Sequence, residues 1–248
     1  MSTDTRNIYR ERIYAGYVSA RHQSLAPRTI DGLGPRLPYF RRIIARHFPE
    51  ERNAAILELG CGHGALLYAL QQAGYRNARG VDGSHEQVVA AAALGIGGVS
   101  EGDVVATLHA TPDASLDVVV AFDLIEHFTK DEMILLVDEV RRVLKPGGRW
   151  IIHAPNAEGP FGGRMRHGDF THELALTRTS VDQLLRASGF SQVACFEDRP
   201  VPHGLKSLIR AILWAGIRAG LLSYMAVETG AFDRKAVFSQ NLLAVAVK

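Results

Sequence analysis

The run Gly60-Cys61-Gly62-His63-Gly64-Ala65 constrains this chain more than any other segment. The apolar stretch Ala55-Ile56-Leu57-Glu58-Leu59 precedes it and the helix-forming stretch Ala65 to Gly74 follows, so strand, tight turn and helix succeed one another. Glycines at such a turn let the backbone bend sharply and come close to a ligand, and the amides that open the helix attract polar or anionic groups. The spacing fits G-x-G-x-x-G/A. Asp82 ends the next apolar run, Ala78 to Val81, about twenty residues on, where its carboxylate can accept both hydroxyls of a ribose. A ribose-bearing cofactor is implied, and at this point nicotinamide dinucleotides remain among the candidates.

The same alternation continues along the chain. Ser84 to Ala93 reads as an alanine-rich helix, and Asp117 to Phe122 as a strand whose consecutive valines suit a sheet buried on both faces. Asp131 to Leu144 reads as a helix capped by Thr129 and stopped by Lys145-Pro146-Gly147-Gly148. Arg149 to His153 is the next strand. Ser180-Val181-Asp182-Gln183 is read as a capping box that opens a helix ending at Gly189, and Phe190 to Phe196 and Leu242 to Val247 as the last strands. Alternating elements of this kind build an α/β domain with a parallel sheet whose ligands bind beyond the carboxyl ends of the strands.

With 248 residues, 47% of them hydrophobic, one core is expected. We divide the chain into an N-terminal helical extension or lid at 1–52 and a main domain at 53–248. Within the latter, 156–178 is a glycine-rich polar loop too long for a plain connection, and 200–234 is a helical insertion before the last strand. In the extension, Tyr9, Tyr14 and Tyr17 mix with Arg6, Arg10 and Arg12 at roughly helical spacing, and Pro38 opens a further amphipathic helix.

A net charge of +2 supplies no global field that would favour nucleic acid. Cys61 and Cys195 lie far apart, the first inside the glycine loop where a bridge would obstruct it, and the polar N-terminus lacks the apolar centre of a signal peptide. A cytoplasmic protein is expected. Gly204 to Tyr224 is apolar but carries Lys206, Arg210 and Arg218, which is costly for a simple spanning helix. Its stripe of Leu205, Leu208, Ile209, Ile212, Leu213, Gly216 and Ile217 is expected to pack on the sheet or against a second copy in a homodimer, with peripheral contact to an anionic membrane as the other reading.

Ile56-Leu57-Glu58-Leu59-Gly60-Cys61-Gly62-His63-Gly64 resembles the first motif of class I S-adenosylmethionine (SAM)-dependent methyltransferases, in which an acid stands two residues before the first glycine. Gly80-Val81-Asp82-Gly83-Ser84 resembles their second-strand motif and Gly102-Asp103-Val104 their adenine-side acid. Asp117 to Phe128 resembles their fourth-strand segment, and Leu144-Lys145-Pro146-Gly147-Gly148 completes a series covering about residues 54 to 155. The resemblance implies a Rossmann-like, seven-stranded, mostly parallel sheet with helices on both faces, with SAM as cofactor and S-adenosylhomocysteine as product. It places Asp82 and Gly83 at the ribose, Asp103 and Val104 at the adenine, and the backbone of Gly60, Cys61, Gly62 and Gly64 at the methionine part. Glu58 either orders that loop or meets the amino group, and Asp123 joins the set from the fourth-strand segment. Gly83-Ser84 departs from many relatives without touching adenosine binding. A short-chain dehydrogenase would carry a Tyr-x-x-x-Lys pair, which this sequence lacks.

Transfer to a hydroxyl requires removal of a proton, commonly by histidine or a carboxylate. We rank His172 first, then His127 and Asp169; His153, at the end of the fifth strand, also qualifies. Asp169, His172 and Glu173 offer ligand types for a divalent ion, but their spacing matches no strong metal signature and no metal is expected. The segment Phe161 to Glu173 resembles the loop of a bacterial branch that methylates small molecules and glycans. That resemblance implies O-methylation of a sugar or polysaccharide precursor, with Arg164, Arg166 and His167 from the loop and Tyr14 and Tyr17 from the extension touching the acceptor. The alternatives are a prenylated phenol or quinone intermediate, as in related quinone-biosynthetic O-methyltransferases, and a SAM-binding scaffold or regulatory subunit without turnover.

Overall fold

The computed structural model describes Tyr9, Arg12, Ile13 and residues 26–248. A 3-10 turn at Ile30–Arg36 leads into α1, Leu37–His47, where proline stands in the first turn as expected. The alternation then runs β1 Ile56–Leu59, α2 Ala65–Gln72, β2 Ala78–Asp82, α3 His85–Ala93, β3 Val99–Glu101, α4 Val104–His109 and β4 Leu116–Phe122. A 3-10 turn, Ile125–His127, precedes α5 Lys130–Val143 and β5 Leu144–Pro155; α6 Gly162–Gly168, α7 Arg178–Ala187, β6 Gln192–Glu197, α8 Leu205–Thr229 and β7 Asn241–Val247 complete the chain.

The strands form one seven-stranded sheet in the order β3-β2-β1-β4-β5-β7-β6. Pairings among β1 to β5 are parallel, while β7 runs antiparallel to both neighbours. The carboxyl ends of β1 to β6 therefore meet at one edge, where the connecting loops build the site. Side chains alternate across the central strands. Leu57, Leu59, Val119, Ala121, Trp150 and Ile152 pack under α5 on one face, and Ile56, Val118, Val120 and Ile151 pack under α1 and α2 on the other. Each such apolar side chain stabilises the fold by about 1.5–3 kcal/mol relative to exposure, so the strand ends are held rigidly.

Local chemistry sets the element ends. Thr129 and Glu132 exchange side-chain and backbone bonds as a capping box that opens α5. The box on α7 sits earlier than the sequence suggests: Thr177 is the cap and Ser180 its reciprocal partner, because the Thr177 hydroxyl accepts the Ser180 N–H at 3.1 Å. Residues 145–148, read as a helix stop, bulge out between Leu144 and Arg149, which pair with Leu116 and Val118 of β4. β3 and α4 carry no periodic signal in the sequence, being three and six residues long.

α8 occupies the expected insertion with its stripe reversed. The inward side is Ser207, Ala211, Trp214, Arg218 and Leu222, whereas Leu205, Ile209, Ile212, Leu213 and Val227 are exposed, Val227 to 88%. By length and composition α8 is able to cross a membrane.

Candidate functional site

The glycine loop crosses the end of β1 in a conformation that only glycine adopts comfortably. Gly60 has φ of 65°, and a Cβ there would stand 2.9 Å from the Leu124 side chain; Gly64, the residue before α2, has φ of 77° and would meet Ile96 and Val99 at 2.9 Å. Asp82 ties the loop to β2, its two carboxylate oxygens accepting the Gly62 N–H at 2.7 Å and the Ser84 N–H at 2.8 Å. Burial raises the Asp82 pKa while those two amides pull it back. Each oxygen keeps a further lone pair for a ribose hydroxyl.

Beneath the loop lies a cavity of about 190 Å³ lined by Glu58, Gly60, Cys61, Gly62, His63, Gln87, Phe122 and Asp123, with Arg36 and Phe40 contributed by the N-terminal segment. Its volume suits one end of a ligand rather than a whole cofactor. Glu58 is buried, its Oε2 has no hydrogen-bond partner, and burial followed by the Asp82 charge pushes its pKa up to about 8. A buried carboxylate facing an Arg36 guanidinium across one cavity matches a zwitterionic amino acid, ammonium to one and carboxylate to the other. Arg36, Phe40, His63 and Gln87 escaped the sequence reading. The two on the N-terminal segment lie outside any loop motif, and His63, whose ring contacts Gln87 at 3.3 Å, was read only as loop filler.

The other nominated cofactor residues spread along the strand ends. Gly83 is exposed beyond β2; Val104 belongs to the core; Asp103 caps α4, its Oδ1 accepting the Ala106 N–H at 2.7 Å. Asp123 follows β4 with φ of 52°, a conformation that non-glycine residues hold only where the surroundings impose it. Its Oδ1 lies 2.8 Å from His153 Nδ1, and His153 Nε2 lies 3.4 Å from Asp198 Oδ2, just after β6. Burial works against a charged His153, but the Asp123 carboxylate and then Asp198 outweigh it and raise the pKa to about 10. Tyr39 of α1 stacks edge-on against this imidazole at 6.2 Å. Its hydroxyl is buried beside Asp198, and desolvation followed by the Asp198 charge pushes its pKa up.

Tyr39 and Asp198 open onto a second cavity, of about 820 Å³, running along the edge strand β6 between α1 and α7. Arg42, Arg46, Arg199, Arg218, Arg234 and Lys235 line it. Arg199 and Arg218 share Glu197 at 2.8 Å, whereas Arg46, Arg234 and Lys235 have no carboxylate partner among the described residues.

Loop 156–176 closes on itself through an Asn156–Leu176 bridge and hangs from the 3-10 turn after β4, the Glu126 carbonyl accepting the N–H groups of Glu173 at 2.8 Å and Leu174 at 3.0 Å. This brings the nominated catalytic residues together. Asp169 Oδ1 accepts the Thr171 hydroxyl at 2.6 Å, Thr171 Oγ1 lies 2.9 Å from His127 Nδ1, and the His127 and His172 rings meet edge-on at 4.9 Å. Of the possible ligands Asp169, His172 and Glu173, from which no metal is expected, Asp169 caps its own turn and Glu173 bonds Tyr9, while Glu126 stands beside His172. The Arg166 guanidinium donates to the carbonyls of His172 and Glu173 and clamps the loop. Arg164 and His167 are exposed. Tyr14 and Tyr17 lie outside the described residues.

Residues 57–152 match the methyltransferase-domain family model. Over those residues the chain is similar to methyltransferase domains. A probable SAM-dependent methyltransferase of Mycolicibacterium smegmatis is 30% identical over 172 residues, covering 66% of this chain and 63% of the relative. This chain thus spans somewhat less than two thirds of that protein's length. The fold is shared with a SAM-dependent methyltransferase from Archaeoglobus fulgidus, at a TM-score of 0.65 and 19% identity, covering 87% of this chain and 94% of that one. It is shared as well with phosphoethanolamine N-methyltransferase 2 of Haemonchus contortus in complex with SAM, at a TM-score of 0.59 and 18% identity, covering 85% and 52%.

Proposed function

We propose that this chain transfers the methyl group of SAM to a hydroxyl of an anionic sugar or polysaccharide precursor bound in the cavity along β6. One observation carries this reading: His153 joins Asp123, which lines the glycine-loop cavity, to Asp198, which lines the larger one, so the two cavities meet at a single buried imidazole. Bound SAM supplies a methyl group already activated on a sulfonium. The residues then have to align the acceptor and exclude water. Glu58 and Arg36 would hold the amino-acid end and Asp82 the ribose, leaving Asp123 at the junction. Tyr39 and Phe122 flank the imidazole and keep that junction dry. Arg46, Arg234 and Lys235 would receive a phosphate or carboxylate of the acceptor, a charged hydrogen bond of this kind contributing about 1.5–3 kcal/mol. His172, His127 and Asp169, grouped at the 156–176 loop and the turn after β4, would assist deprotonation of the hydroxyl.

The exposed apolar face of α8 supports a second reading, in which the acceptor is a prenylated phenol or quinone intermediate and a cytoplasmic enzyme works at a membrane surface. Incubation with methyl-labelled SAM and a panel of uronic acids, sugar phosphates, nucleotide sugars and a prenylated catechol separates these. Labelled methyl ethers of the anionic sugars are expected. Label on the catechol alone would replace the first reading with the second, and SAM binding without any labelled product would leave a scaffold.

A further inference from the structure

The 3-10 turn after β4 and the loop that hangs from it orient two imidazoles toward one buried carboxylate. One side-chain ligand atom from each of Glu126, His127 and His172 lies within 4.8 Å of the other two. His172 Nδ1 faces the Met165 carbonyl at 2.9 Å; a carbonyl only accepts, so Nδ1 carries the proton and the lone pair sits on Nε2, 3.9 Å from Glu126 Oε1. His127 is set in the same sense. Its Nδ1 meets the Thr171 carbonyl at 3.3 Å and the Thr171 hydroxyl, which already donates to Asp169, at 2.9 Å, so Nδ1 is the donor and Nε2 holds the lone pair. Glu126 Oε2 is buried without a hydrogen-bond partner. An unbonded carboxylate oxygen at this depth is costly unless a proton or a cation meets it.

We infer that Glu126, His127 and His172 form a binding site for a divalent first-row transition-metal ion. Two imidazoles whose far nitrogens are held by a carbonyl or hydroxyl, together with one carboxylate, are the donor set and outer-shell support such ions take, with positions left over for an oxygen ligand. The atoms stand wider than the roughly 3.3 Å edge of a tetrahedral site, so the 156–176 loop closes on the ion by about 1 Å. Asp169 serves as an outer-shell group through Thr171. If methyl transfer to a hydroxyl is the reaction, as proposed above, the ion polarises that hydroxyl. With the lone pairs of His127 and His172 on the ion, a solvent base replaces them in taking the proton; the oxygen bonds the methyl carbon, and the carbon–sulfur pair stays on sulfur. Metal binding itself does not depend on that reading.

Cobalt(II) titration of the metal-stripped full chain, without SAM or acceptor, tests the site separately from methyl transfer. One equivalent is expected to bind with visible d–d absorption and to be displaced by zinc(II). Glu126→Gln and His172→Ala each weaken binding by more than about 100-fold, beyond the 10- to 100-fold typical of losing an outer-shell partner. His167→Ala, an exposed imidazole on the same loop, leaves it unchanged. No saturable one-to-one uptake, or undiminished uptake in both ligand variants, overturns the proposal. Should either variant unfold, hyperfine-shifted imidazole N–H signals of the cobalt-loaded unmodified chain decide: two are expected, and fewer than two would refute the site.

Discussion

His153 Nδ1 stands 2.8 Å from Asp123 Oδ1, and this contact locks the end of β5 to the residue that leaves β4 with a left-handed backbone. The Asp123 N–H donates in turn to the His153 carbonyl at 2.8 Å, so the two residues are joined through both side chain and main chain. Strain at Asp123 is thereby held by a neighbour that also reaches Asp198 and the larger cavity.

The first expected outcome concerns stability and pH. His153 rises from an ordinary value near 6.5 to about 10, so its contribution is fully present below about pH 6.5 and is lost as pH climbs through about 10. Asp123 is half open to solvent, its side chain 54% exposed, which places the loss on His153→Gln near the figure for one charged hydrogen bond, about 2 kcal/mol. In a chain of this size that is a fall in Tm of about 4–8 °C. Calorimetric scans near pH 6 should show the full difference and scans above pH 10 much less. A difference that grows with pH would contradict the imidazolium assignment.

Asp82→Ala removes the anchor of Gly62 and the proposed ribose acceptor together. SAM affinity should fall by about 2–4 kcal/mol, or roughly 30-fold to nearly 1,000-fold. Asp82→Asn, which keeps one acceptor oxygen, should fall between the two. Titration calorimetry measures both, with NAD as the negative ligand; unchanged SAM affinity in the alanine variant would remove Asp82 from the cofactor site.

Glu58 gives a pH signature of its own. With its pKa pushed up to about 8, the carboxyl is largely protonated at pH 7 and must ionise to meet an ammonium group. SAM binding at pH 7 should therefore release close to one proton. Calorimetry in buffers of differing ionisation enthalpy reads this directly. Glu58→Gln should abolish the release, and equal release in that variant would assign the proton elsewhere.

The glycine-loop cavity was largely legible in the sequence because its geometry is local: the glycine spacing, Glu58 and Asp82 sit on consecutive strand ends. The cavity along β6 was not. Asp198 meets His153 only because β6 lies beyond an antiparallel β7, a crossing that no spacing records. Arg36 reaches the cofactor cavity from a segment preceding β1, and Arg166 was read by its charge although two carbonyls take it inward. The grouping of His127, His172 and Asp169 was anticipated as a shortlist, yet Glu126, the buried carboxylate among them, passed as part of a motif. α8 shows the limit of periodicity, since both of its faces carry apolar residues and only the packing of Ser207, Trp214 and Leu222 reveals which one turns inward.

That orientation sharpens the membrane question. Arg218 is withdrawn from solvent, donating to Glu197 at 2.8 Å and to the Arg234 carbonyl at 2.7 Å, so it is unable to meet a lipid headgroup. Lys206 and Arg210 are exposed and flank the outward stripe of Leu205, Ile209, Ile212 and Leu213. An amphipathic helix of this form lies in the headgroup plane, apolar side down, and each basic residue near an anionic surface adds about 1 kcal/mol that salt screens. We expect the chain to float with vesicles rich in phosphatidylglycerol at low salt, and less at high salt or with phosphatidylcholine alone. Lys206→Glu with Arg210→Glu should remove the salt-sensitive part, and Ile212→Asp with Leu213→Asp the remainder, while SAM affinity stays unchanged because α8 contributes nothing to the glycine-loop cavity. Flotation that survives both double variants would place membrane contact outside α8. Absence of flotation on every vesicle would leave the exposed face to a second copy of the chain, which sedimentation equilibrium would register as a dimer that the Ile212→Asp, Leu213→Asp variant dissociates.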